Sequence, residues 1–452
     1  MVPIRDLLIA GFFAVGVVAT LRRPYIGLCV WMIFTYLAPH HFTWGFAYTF
    51  SWVMIIAVVT MGSMVLNNAV RMPQPLTSTY LLGALVLWAG VTTAAAFDPQ
   101  AALTAYIDAL KIVTLGIVTM LLVDDTFKFR VVVSVLAGSI LFFGVKGGLF
   151  VLATGGNYMV FGPPEHFMGA NNGLAIALLM AMPLAWFLGT EAQNRWVRWG
   201  WFASIPFTIL SILSTYSRGA VLALGCTAIY WAIASGRKKL GFGILALFPA
   251  ALFLFMPDQL IERMETIENY QQDPSAMSRI EMWKFGFEIA KSHPFGGGFE
   301  VFPMYHLYDE YGVNMEYFES GKTAHSIYFE MLGQHGFVGL ALFLAMGVSL
   351  FMACSRIRRR YASVTAQNFA AAAQISLVGY AVGGAFVNKA FYWPITFQLL
   401  GLVAAAATIF AHAGASADVP SGQTGRAKAR PGVGRPSPAR RRNPARQTTT
   451  RG

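Results

Sequence analysis

Charge is what this chain has least of. Only 12% of its 452 residues are Asp, Glu, Lys or Arg, against 56% hydrophobic and 14% aromatic, and the mean hydropathy is +0.55. Those values exclude a soluble protein of this length. Cysteine is nearly missing too. Cys29, Cys226 and Cys354 lie far apart, in or at the ends of apolar runs, which excludes a disulfide framework and a cysteine-built zinc site. No HExxH and no close cluster of His with carboxylates occurs, so neither a metal nor a cofactor is expected. No repeat of solenoid length is present.

What is present is a series of apolar runs, each able to cross a hydrocarbon core of roughly 30 Å. They centre on residues 7–21, 25–38, 46–66, 76–96, 103–123, 131–153, 172–190, 199–215, 218–235, 240–256, 326–353, 368–387 and 392–412. The expected fold is an all-α polytopic membrane protein with about 12–13 transmembrane helices and one large, partly helical periplasmic loop. Leu21-Arg22-Arg23-Pro24, rather than a small-residue cleavage site, follows the first run. That run is therefore expected to be retained.

The few basic residues are sorted by side. With alternating helices, Arg22 and Arg23, Arg71, Lys128 and Arg130, Arg195 and Arg198, Arg237 to Lys239, and Arg356 with Arg358 to Arg360 fall on one side, which the positive-inside rule makes cytoplasmic. The short loops opposite, at 39–45, 97–102 and 154–171, contain no Lys or Arg. The large polar loop falls on their side, so the site is expected to face outward. The segment from Ala413 onward has nine basic residues and one acid, Asp418, and reads as a disordered cytoplasmic tail that meets anionic headgroups rather than nucleic acid.

Four regions follow: an N-terminal transmembrane bundle over 1–256, a polar periplasmic loop over 257–324, C-terminal transmembrane helices over 325–412 and the basic tail over 413–452. The loop holds 12 of the chain's 21 carboxylates and is where the chemistry is expected. Ser217-Arg218-Gly219-Ala220 stands at an outer junction of two runs, with Ser217 as the N-cap of the next helix. Met277-Ser278-Arg279-Ile280-Glu281 opens an amphipathic helix, Ser278 and Glu281 standing at capping-box spacing. Each places an arginine in a first turn, where the helix dipole opposes a cation by about 0.3–1 kcal/mol. A bound anion reverses that penalty, and phosphate is the candidate. The alternatives are an interfacial arginine or one paired with a loop carboxylate for Arg218, and a surface ion pair for Arg279.

His325 stands where the helix after the loop begins. An imidazole with an ordinary pKa of about 6.5 suits proton abstraction near neutrality; the alternative is a helix-start histidine bonded to backbone. His40 and His41 read as an interfacial pair, His335 lies inside the following helix, and His293 and His306 lie in the loop without evident partners. Gly296, Gly297 and Gly298 serve equally for close approach to a ligand or for a helix stop and hinge. Asp108 and Lys111 stand three apart in one span and Lys146 stands alone in the next. Such charges mark either function or a structural ion pair. The outer loops before the polar segment carry only Asp98 and Glu165, too few for a metal-dependent sugar transferase.

The order of Ser217 to Ala220, Arg279-x-x-x-Trp283, His293-Pro294-Phe295 with Gly296 to Gly298, and a histidine opening a helix before Gly333-x-x-Gly336 resembles the O-antigen ligase and polymerase superfamily. Arg22-Arg23-Pro24-Tyr25-Ile26-Gly27 and Phe42-Thr43-Trp44-Gly45-Phe46-Ala47 are similar to its branch of O-glycosylation ligases associated with the exosortase A system. The resemblance spans roughly residues 1–412. It implies metal-independent transfer of a glycan from undecaprenyl diphosphate to a hydroxyl of protein, lipid or glycan on the outer side of a bacterial inner membrane. Arg218 and Arg279 would hold the diphosphate and His325 would activate the acceptor, with inversion at the sugar. A repeat-unit polymerase shares this donor chemistry. A lipid-glycan transporter or flippase is the alternative of another class, and it would show related halves and a polar central path, which this sequence lacks.

Overall fold

The computed structural model describes residues 3–235, 274–318, 320–388 and 390–417. The expected helix at 240–256, the basic residues 237–239, the first part of the polar segment with Glu319, and the tail from 418 lie outside them. Fourteen α-helices and no strand occur among the described residues: α1 (Ile4–Arg22), α2 (Pro24–Met32), α3 (Phe46–Thr49), α4 (Trp52–Leu66), α5 (Thr77–Ala94), α6 (Pro99–Leu122), α7 (Thr126–Thr154), α8 (Asn171–Glu191), α9 (Arg195–Leu213), α10 (Arg218–Ala234), α11 (Pro274–Ser292), α12 (Ile327–Arg360), α13 (Val364–Gly383) and α14 (Pro394–Ala417). Eight of these are long and apolar enough to cross a membrane, and α2 with its π-helical continuation Ile33–Leu37, α4 and α10 are shorter apolar helices. The chain is an all-α polytopic membrane protein.

Backbones come together where side chains vanish, which is how helices associate when lipid offers no hydrophobic contrast. A methyl on Gly116 of α6 would stand 2.5 Å from the Phe397 carbonyl oxygen of α14, and one on Gly401 of α14 would stand 2.4 Å from that of Gly116. The α7–α9 crossing uses Gly148 against Phe207 in the same way. α8 and α14 are enclosed, with 83% and 89% of their apolar windows buried, whereas α1 is peripheral at 22%. Some polar groups inside the bundle pair across helices, as in Gln398 Nε2 donating to Thr119 Oγ1 at 2.6 Å.

Loop contacts sort the two ends of the bundle. At one end the Arg71 amide donates to the Leu121 carbonyl, Arg130 pairs with Glu191 at 3.0 Å, Thr365 donates to Glu191, and Arg358 donates to the Ala234 carbonyl. At the other end the Phe97 amide donates to the Gly297 carbonyl, Val160 to Ser214, and Asn171 Nδ2 to the Thr215 carbonyl. The described part of the polar segment sits at this second end and carries its own core of Met282, Phe285, Ile289, Val301, Phe302, Tyr308 and Val313. Arg71, Arg130 and Arg358 lie at the first end, and the polar cap, which carries Arg279, Lys284 and Lys322, lies at the second.

Candidate functional site: a histidine among cations at the polar end

α10 starts as its sequence requires. Ser217 Oγ accepts the Ala220 amide at 3.2 Å, so Ser217 caps the helix and Arg218 is its first residue. α11 departs from expectation. It begins at Pro274, four residues ahead of Ser278, so no capping box forms and Arg279 lies in the second turn, beyond the strongest field of the dipole. Glu281 turns inward instead, pairing with Lys284 at 2.6 Å and accepting the Asn314 amide at 3.2 Å.

Trp283, one turn beyond Arg279, positions that arginine. Its indole N–H donates to the Ala324 carbonyl at 2.9 Å and its ring stacks on Phe329, centroids 4.9 Å apart and planes within 4°. This clamps α11 to the chain just before His325 and brings Arg279 into electrostatic reach of the imidazole. His325 holds a left-handed backbone, φ +46°, rare for a residue with a Cβ and a form of strain that persists only where surrounding structure imposes it. Burial, then Arg279, then Lys322 lower its pKa from 6.5 to about 4. The imidazole is therefore neutral at physiological pH. Lys322 is held nearby by its amide donating to Tyr308 Oη at 2.8 Å; sequence reasoning passed over it as a site residue.

Arg218 reaches the same end on another element. Gly219 beside it packs against Phe386, where a methyl would stand 2.5 Å from the ring, and Gly384 of that turn packs against Ile327, two residues past His325. The starts of α10 and α12 are thus joined through one short turn, Gly384–Phe386.

The glycine turn resolves differently. Gly296 and Gly298 have φ of +73° and +82°, and the amides of Gly297 and Gly298 donate to the carbonyls of Gly333 and Gln334 at 2.8 and 2.9 Å. Those carbonyls are open because α12 is broken at Gly336, φ +66° and ψ −172°. The Trp88 indole takes the next carbonyl, that of His335, at 2.8 Å. The glycines therefore approach a broken helix, where the N–H groups of Gly297 and Gly298 are committed, while that of Gly296 donates to the His293 carbonyl at 2.8 Å.

Several of the remaining histidines and charges have local partners. His293 bonds Tyr311 Oη at 3.0 Å and packs on Phe97, so the expectation that it lacks a partner is corrected. His40 and His41 join His166 in one ring cluster. Asp108 and Lys111 pair at 2.7 Å, and Lys146 lies over the Phe42 ring at 5.3 Å. Sequence reading missed Glu330 and Gln334, both 7% exposed near the start of α12. A carboxylate opening a long apolar helix is the signal that could have found the first.

Fold and cap together define a multi-pass helical membrane protein that presents a neutral imidazole among cations at one end of its bundle. Residues 202–344 match the family model described as O-antigen ligase, and residues 4–194 match that of a family of unknown function. The match over 202–344 supports the O-antigen ligase superfamily and, with it, a glycan-transfer function of the ligase or polymerase type. The curated proteins include no match to it.

Proposed function

We propose that the chain is an inverting, metal-independent glycosyltransferase that moves a glycan from undecaprenyl diphosphate to an acceptor hydroxyl on the periplasmic side of the inner membrane. The acceptor oxygen attacks the anomeric carbon as the carbon–oxygen bond to the diphosphate breaks. The acceptor proton passes to His325, and the diphosphate leaves with the bonding pair. Arg279, Lys322 and Arg218 balance the charge that develops on the leaving group, the role that preorganised cations fill in displacement at phosphate esters. A bound diphosphate offsets the repulsion that Arg279 and Lys322 exert on an imidazolium, so donor binding strengthens His325 as a base. The run of basic residues at 22–23, 71, 128–130, 195–198 and 356–360, against short opposite loops without Lys or Arg, supports the periplasmic orientation. The sequence similarity at 22–27 and 42–47 to ligases of the exosortase A system favours O-glycosylation of a protein over repeat-unit polymerisation.

The observation that carries this reading is the neutral imidazole of His325 beside Arg279 and Lys322. His325→Ala is expected to abolish transfer of lipid-linked glycan by reconstituted protein while its thermal midpoint and helicity stay those of wild type. Transfer at the wild-type rate would remove the base from the mechanism.

A further inference from the structure

A cavity of about 520 Å³ opens at the polar end, enclosed by α6, the polar segment, the start of α12 and the chain around 388–392. Its size falls in the roughly 300–1,000 Å³ range of small-molecule sites. Thr323 and Ala324 form part of its wall, so His325 follows directly on the lining. Opposite stand the carboxylates of Asp108, Glu300 and Glu330 and the amides of Gln334 and Asn388. Tyr392 joins them; its hydroxyl donates to the Ala105 carbonyl at 2.8 Å. Burial and then the negative charges of Glu300, Asp108 and Glu330 raise its phenol pKa, which sets all three carboxylates around one ring.

Gln334 is the group that asks for a ligand. It is 7% exposed and lines the cavity, and among the described residues its side-chain amide meets no hydrogen-bond partner. Its amide atoms are open to the cavity rather than sealed from it, so donor and acceptor are both available to a bound group. The break in α12 puts it there, since discontinuous helices expose polar groups to binding cavities inside membrane proteins. A hydroxyl both donates and accepts, so it satisfies an amide, and neighbouring hydroxyls satisfy carboxylates. Several hydroxyls on one small frame describe a carbohydrate.

We propose that this cavity is a sugar-ring subsite in which Gln334 and Asp108 hydrogen-bond ring hydroxyls beside His325. The inference rests on the glycan-transfer reading above. The ring belongs either to the donor, next to the diphosphate, or to a glycan acceptor.

The test uses the full chain in lipid nanodiscs and saturation-transfer NMR with methyl glucoside and methyl N-acetylglucosaminide as probes and 1-hexanol as the apolar control. Both glycosides are expected to receive saturation, and hexanol is not. Gln334→Ala and the milder Asp108→Asn, which keeps the fold testable should the first be unstable, are each expected to weaken glycoside binding about fivefold or more. Inorganic pyrophosphate binding should stay intact in both. In transfer assays, a raised KM for acceptor alone assigns the ring to the acceptor, and a raised KM for donor alone assigns it to the donor. Absence of saturation in wild type, equal saturation of hexanol, or undiminished glycoside binding in both variants overturns the proposal. His325→Ala separates the two readings: it should still bind glycosides, and if it keeps transferring glycan, the base assignment falls while the subsite stands.

Discussion

Replacing Arg279 with Gln removes one of the two cations that hold the His325 imidazole neutral. The displacement of its pKa from 6.5 to about 4 has burial as its first cause, Arg279 as its second and Lys322 as its third. At about 1.4 kcal/mol per pH unit, it corresponds to ~3 kcal/mol in favour of the neutral ring. Burial and Lys322 persist in the variant, so its pKa settles between about 4 and 6.5, and a rise of about one unit is a tenfold change in protonation. A base is lost as pH falls through its pKa. The acid limb of kcat/KM, which reports the free enzyme, therefore moves to higher pH in Arg279→Gln, whatever the drop in absolute rate. Stability carries the same sign. The folded pKa lies below the unfolded one, so this group's contribution is complete above about pH 6.5 and declines as pH falls toward 4; the variant loses less over that window. Histidine NMR in nanodiscs and a pH series of transfer rates measure both. An imidazole titration and an acid limb unchanged from wild type would refute electrostatic contact between Arg279 and His325.

Arg218→Lys keeps the charge but loses the planar fork, and the loss of about 1.5–3 kcal/mol for a charge-assisted bond predicts a donor KM raised about tenfold or more; wild-type kinetics would remove Arg218 from diphosphate binding. Gly298→Ala combines φ +82° with a methyl 2.1 Å from Ala96 Cβ, so it should cost about 1–3 kcal/mol and lower the thermal midpoint. Gly200→Ala, which meets nothing within 4 Å on α9, should not, and equal midpoints for the two variants would contradict the packing described. Trp283→Phe retains the stack on Phe329 but strands the buried Ala324 carbonyl, at about 1–3 kcal/mol; kcat should fall with stability, and unchanged values of both would show that the indole is not the clamp.

Hydropathy disclosed the spans because lipid imposes length and apolarity together, and all the apolar runs within the described residues became helices. It did not disclose interruptions. The run read as 46–66 is α3 and α4, parted at Phe50 and Ser51, and the second run ends in a π-helical turn, since both pieces of each are equally apolar. α12 runs past the expected 353 to Arg360 because arginines continue a helix well once it leaves the apolar zone. The Ser217 cap was legible in the sequence, and the proposed site residues Arg218, Arg279 and His325 stand out there as local exceptions to a strong background. The capping box at Ser278 was misread because the true start, Pro274, offers the pre-set φ of a first helical residue, a signal that outranks spacing. The cavity escaped notice because it is assembled from α6, the polar segment, α12 and the chain near 390, and no window of sequence contains it.

The break at Gly336 divides α12 into unequal lengths with different attachments. The longer one carries, in its last turn, Arg358, tethered to Gln374 and to the Ala234 carbonyl, while the shorter one carries Glu330 and Gln334 and is sewn to the glycine turn. With the axial ladder severed between them, the two pieces are not one rod: the glycine turn fixes the short piece and the far-end arginine contacts fix the long one.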